Sequence, residues 1–175
     1  MYSHHKPTTH LLRNVHEITS PSGFTLIELL VSIVIIAIGL LGLAALQITG
    51  LRESQASSSR LLATQLVYDM RDRIAANSLG AALPDNYTIA HGESVTTKPD
   101  CVNNPCSAAE IAMYDLAYWK NATARLLSGD GEISFNSPNY TIIVRWDETN
   151  RGATGTTCPP VAVSDLDCII LTVPQ

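Results

Sequence analysis

Histidine nearly disappears after Gly23. Four of the five (His4, His5, His10, His16) precede it, and only His91 follows. A histidine-based triad therefore has one candidate and no evident partner. No HExxH, GxSxG, GxGxxG or P-loop pattern occurs, so the chemistry those spacings support has no footing. Cysteine is absent before Cys101, and the four present are Cys101, Cys106, Cys158 and Cys168. Four residues lie between Cys101 and Cys106, not two, which leaves a zinc ribbon or a thioredoxin-like CxxC unsupported. Basic residues are outnumbered, 11 Lys and Arg against 16 Asp and Glu, and form no stripe. That argues against nucleic acid as a partner. No catalytic residue, metal or cofactor is expected, and the chain does not read as an enzyme.

What is present begins with Gly23–Gly42, "GFTLIELLVSIVIIAIGLLG". From Phe24 to Leu46 the chain is apolar except for Thr25, Glu28 and Ser32. As a helix this segment spans roughly 34 Å, enough to cross a bilayer core. A secretory signal peptide cut near Gly42-Leu43-Ala44 fits poorly, because the run is too long, contains an acid and follows a long polar segment. Glu28 is the puzzle: a carboxylate at the centre of a hydrocarbon layer costs about 2.5–3.5 kcal/mol. It stands four residues after Phe24, one helical turn away on the same face. Cutting the chain after Gly23 would give Phe24 a free amine. That ammonium and the Glu28 carboxylate could neutralise each other, within one chain or between packed chains.

The segment "GFTLIELLVSIVIIAIGLLGLAALQ" resembles the class III signal of type IV pilins and the related pseudopilins. The resemblance implies that a prepilin peptidase cuts between Gly23 and Phe24 on the cytoplasmic side and that Phe24 is N-methylated. It also implies that Glu28 pairs with the terminal amine of a neighbouring subunit during assembly. Residues 1–23 are then a cleaved leader, whose Lys6 and Arg13 against Glu17 suit a cytoplasmic location. The early histidines leave with it.

Beyond Leu46, Leu62, Leu66 and Met70, together with Ala63, Val67 and Ile74, mark the apolar face of an amphipathic helix. Gly80 and Pro84 are stop signals, and the helix is expected to run to about Asn77, loosening near Gly39–Gly42. Ser57–Ser59 reads as a solvated face. Ser107 and Glu110 form a capping box for a second helix, with Ile111, Tyr114, Tyr118, Ala122 and Leu126 as its apolar face and Tyr118 and Trp119 as core. "SGDGEISF", Tyr140–Trp146 and Cys168–Val173 read as strands. The expected class is α+β, a long N-terminal helix packed on a C-terminal antiparallel sheet with an extra helix. The expected segments are 24–46 as transmembrane and assembly helix, 47–79 as its amphipathic continuation, and 80–175 as a globular periplasmic domain. The four cysteines suit two disulfides in an oxidising compartment. Three pairings are open, and the two nearest in sequence, Cys101–Cys106 and Cys158–Cys168, are expected. The acids Asp147-Glu148 and Asp165 with Asp167 read as solvated loop residues rather than a calcium site.

"GLLGLAALQ", "YDMRDRIAAN", "YDLAYW" and "YTIIVRWDE" narrow the resemblance to the type IV pilus modification proteins of the PilV family. Members are minor pilins. The family's role implies priming of pilus assembly with other minor and major pilins, and entry into a tip complex that often carries an adhesin. It also implies a single-pass inner-membrane stage, with the C-terminal domain periplasmic, before the pilus surface. The alternatives are a pseudopilin of a type II secretion system or a membrane-anchored periplasmic binding domain.

Overall fold

The structure is a computed structural model that describes residues 23–175. Expectations about the leader before Gly23 lie outside the described residues. The chain divides into two units, one ending at Ala45 and one from Leu46 to Gln175.

Helix α1 covers Leu26–Ala76 without a break. The expected loosening at Gly39–Gly42 does not occur. Each glycine costs a helix about 1 kcal/mol relative to alanine, but it keeps its N–H and C=O for the ladder. Flanking Ile, Leu and Ala residues carry the helix through. In the first unit every described residue is exposed.

The second unit holds the core. α1 contributes Ala63, Leu66, Val67, Met70 and Ile74, all buried, while Leu62, expected on the same face, is exposed. The chain then turns through a short helix α2 (Ser78–Ala81), a 3-10 turn (Pro84–Asn86) and helix α3 (Ala108–Thr123). Asn77 makes the first turn possible, since its side chain accepts from the Gly80 N–H. At α3 the Ser107 side chain accepts from the Glu110 N–H and the Glu110 carboxylate accepts from the Ser107 N–H. Both orphan donors are thus satisfied.

Three strands follow: β1 (Asp130–Asn136), β2 (Asn139–Trp146) and β3 (Asp167–Pro174). They form one antiparallel sheet in the order β1-β2-β3. The alternation in β2 sends Tyr140, Ile142 and Val144 fully into the core, as a period of two requires. They join the α1 residues in one hydrophobic cluster. The α+β fold, with a long helix, an extra helix and an antiparallel sheet, is as the sequence led us to expect.

The expected face of α3 is corrected. Its buried residues are Ala112, Asp115, Leu116, Trp119 and Thr123, while Ile111 and Tyr118 are exposed. The buried stripe is displaced by about one residue because Asp115, polar and so assigned outward, turns inward to bonded partners. Trp119 is core, as expected, and Tyr118 is not. The loop acids are also corrected. Asp147 is buried and accepts from the backbone N–H groups of Arg151, Gly152 and Ala153. Asp165 accepts from those of Val161 and Ala162. These carboxylates organise loops. No group of His, Cys, Asp or Glu able to hold a metal occurs among the described residues.

Candidate assembly site and its supporting core

The candidate site is the start of α1. Thr25 is its N-cap: its hydroxyl oxygen and its carbonyl both lie within hydrogen-bonding reach of the Glu28 N–H, at 3.4 and 3.1 Å. Glu28 therefore occupies the third helical position, where the positive end of the helix dipole favours an acid by about 0.3–1 kcal/mol. That is at most about two-fifths of the roughly 2.5–3.5 kcal/mol that a carboxylate costs at the bilayer centre. Placement in the first turn lowers the cost further, but a cationic partner still has work left to do. Downstream, the Ser32 hydroxyl donates to the Glu28 carbonyl at 2.7 Å, so this polar side chain is spent on the helix itself.

Phe24, Leu26, Ile27, Leu29, Leu30 and the aliphatic residues that follow are all exposed. By length and composition α1 can cross a membrane: an 18-residue window has mean hydropathy 2.9, and none of that window is buried. Exposure of this much apolar surface identifies a segment made for lipid or for other helices.

In the second unit, buried polar groups lock α1 to the elements around it. Arg73 donates to Asp69 at 2.9 Å and to Asp115 at 2.8 Å. The Tyr87 hydroxyl donates to the other Asp115 oxygen at 2.8 Å and accepts from Asn77 at 3.0 Å. Asn77 also donates to the Ala108 carbonyl. Four segments meet in this network: α1, its C-terminal turn, the Tyr87 segment and α3. Burial pushes the Tyr87 phenol well above its usual range, and its bond to Asp115 adds to that. The Trp119 indole N–H donates to the Leu66 carbonyl of α1 at 2.8 Å. Asp130, at the start of β1, gathers Lys120, His91 and the Gly92 N–H. Burial alone would raise its carboxyl, but bonds from Gly92, Lys120 and Gly131 outweigh this and hold it below the ordinary carboxylate range.

Cys101 is joined to Cys106 and Cys158 to Cys168, with Cα separations of 5.4 and 6.1 Å. The first closes a loop ahead of α3, and the second ties a long loop to the start of β3. Gly23, Phe24 and Glu28 stand together at the head of α1, and the cysteines lie in the other unit.

Sequence reasoning missed Thr25, Tyr87 and Asp115. Thr25 was legible, because Thr25-x-x-Glu28 is itself a capping-box spacing. Asp115 was readable as an acid interrupting an apolar stripe, which demands a partner. Tyr87 gave no signal, because its partners come from distant segments.

An exposed apolar helix with an acid in its first turn, preceded by Gly-Phe and followed by a disulfide-bonded α+β unit, defines a prepilin-type protein. Two family models match. "Prokaryotic N-terminal methylation motif" covers residues 19–44, and "Type IV pilin Tt1218" covers residues 45–117. They run without a gap over residues 19–117 and, with the fold, support a type IV pilin whose N-terminus carries the prepilin methylation motif. Comparison with curated proteins and with solved structures returns no match.

Proposed function

We propose that this chain is a minor type IV pilin of the PilV kind, which primes pilus assembly and joins a tip complex with other minor pilins and an adhesin. The observation that carries the reading is the helix start: Gly23-Phe24 ahead of a Thr25-capped turn holding Glu28, on a helix whose membrane-length apolar window is wholly exposed. In this reading prepilin peptidase removes residues 1–23 and Phe24 becomes the methylated N-terminus. Residues 24–46 hold the subunit in the inner membrane and later pack in the filament. Residues 47–79 continue the helix, and residues 80–175 form the periplasmic domain. The disulfides suit an oxidising compartment. Glu28 supplies the charge that the amine of a neighbouring subunit neutralises, which makes burial of that amine in a helix bundle tolerable.

The test compares uncut precursor, mature membrane pool and sheared filaments for several variants. N-terminal mass mapping should find methylated Phe24, and an intact leader or a start near Ala45 would remove the reading. Gly23→Val should block cutting, since a small residue there lets extended backbone enter a peptidase site. Glu28→Ala should be cut and inserted normally yet remain in the membrane pool. Its entry into filaments or the initiating complex at normal levels would refute the pairing role.

A further inference from the structure

The two outer edges of the sheet are built differently. On the β1 side Ile89 covers the edge, and Ile89 and Ile133 exchange both backbone hydrogen bonds, at 3.0 and 2.9 Å. On the β3 side no described segment pairs with the strand, although the Cys158–Cys168 bridge ties the preceding loop to its start. The register shows which groups this leaves open. The Gln175 N–H donates to the Pro138 carbonyl at 2.9 Å, and Tyr140, Ile142 and Val144 stand opposite Val173, Leu171 and Ile169. Bonded and non-bonded pairs alternate in an antiparallel ladder. Val173, Leu171 and Ile169 therefore bond to β2, while the N–H and C=O groups of Cys168, Ile170 and Thr172 point outward. No hydrogen bond from elsewhere among the described residues meets them.

Such an edge is normally guarded by charge, proline or a bulge. Here Cys168–Val173 carries no charge and no proline; Asp167 and Pro174 only bracket it. The core is unfinished on the same side. Ile169 and Leu171 pack on the core but stay partly exposed, whereas Ile142 and Val144 in β2 are fully covered. A cavity of about 270 Å³ opens there, bounded by Arg60 and Thr64 of α1, Ile169 and Asp167 of β3, Pro160 and Trp146. The buried Trp146 indole N–H has no acceptor among the described residues.

We infer that β3 accepts an added strand from a different protein chain: an extended segment with apolar side chains at alternate positions and a Lys or Arg at the end that meets Asp167. Main-chain groups of Cys168, Ile170 and Thr172 bind its backbone, and its inward side chains cover Ile169 and Leu171 and enter the cavity. Charge selects against a second copy. Outward-pointing residues must meet each other; self-pairing centred on Ile170 sets Cys168 on Thr172, and the neighbouring registers bring Ile169, Leu171 or Gln175 opposite Asp167, never a base. The centred register places Val173 opposite Asp167. Asp167 has no salt bridge among the described residues, though it accepts from the Glu148 N–H at 3.4 Å and attracts Arg60; that guanidinium is held by both oxygens of Glu148. Reading the donor as another pilus protein rests on the proposed function. The open edge does not.

Amide hydrogen exchange at single-residue resolution tests this on the full mature chain. Two states are compared: the complex extracted from membranes or sheared filaments, and the purified chain in detergent. In the purified chain the Cys168, Ile170 and Thr172 amides should exchange fast and those of Ile169, Leu171 and Val173 slowly. In the complex the first three should slow by about a hundredfold or more. Equal rates in both states would overturn the proposal. Slowing in the purified chain as its concentration rises would also overturn it, since that is self-pairing. Ile170→Lys, at an exposed position, should abolish the added protection while leaving Ile169, Leu171 and Val173 protected. The same spectra read the N-terminus. A start other than Phe24 defeats the pilin reading alone, and unprotected edge amides defeat the strand proposal alone.

Discussion

Asp115 is where removing one carboxylate should loosen the most segments at once. It is 7% exposed, takes a hydrogen bond from Arg73 and another from Tyr87, and stands in the middle of α3. Asp115→Ala leaves the Tyr87 hydroxyl with no acceptor, a loss of about 1–3 kcal/mol for a buried donor. It also removes one of two acids bonded to Arg73. Breaking a buried pair outright costs about 3–5 kcal/mol, but Arg73 is partly exposed and keeps Asp69, so its share falls well below that. The sum is about 2–4 kcal/mol. Asp115→Asn keeps an acceptor for Tyr87 and should lose about half as much. Unfolding of the second unit can be followed by the fluorescence of Trp119 and Trp146, both buried in the core, with the mature chain in detergent. At about 2–4 °C per kcal/mol, Asp115→Ala should melt several degrees below the parent. A loss below about 0.5 kcal/mol, or Asn and Ala variants equal to each other, would refute the account of this network.

The Asp130 carboxyl is depressed on folding, so its contribution is present above the unfolded value of about 3.9 and fades as pH falls below it; Asp130→Asn should flatten stability across that acid window, read by melting at stepped pH. Gly131 faces Trp119 so closely that an added Cβ would sit 2.4 Å from the ring; Gly131→Ala should therefore destabilise by about 1–3 kcal/mol, and near-neutral melting would contradict it. Non-reducing peptide mapping of exported protein should recover Cys101–Cys106 and Cys158–Cys168, each short loop contributing about 2–3 kcal/mol or less. Losing the second bridge should loosen the Val161–Val163 loop and the start of β3 in exchange experiments, and an unchanged pattern would count against its role there.

The sequence by itself determined the local elements and their punctuation. Periodicity and caps act over a few residues, so the run from Leu26, the Ser107–Glu110 box and the alternation in β2 were all readable. The Gly23-Phe24-Glu28 spacing is written in the sequence too, but α1 starts at Leu26 with Thr25 as its cap, so Phe24 stands just outside the helix that carries Glu28. Only the tertiary structure decided matters that depend on distant partners. Asp115 faces inward because Arg73 and Tyr87, 42 and 28 residues away, are there to bond it. Asp147 is buried because the loop after it turns back and supplies N–H groups. Gly39–Gly42 stays helical because a propensity of about 1 kcal/mol per glycine is weak against a continuous ladder. The open edge of β3 could not be read from its own residues: Ile89 pairs with β1 and no described segment pairs with the outer edge of β3, and that asymmetry exists only once the chain has folded.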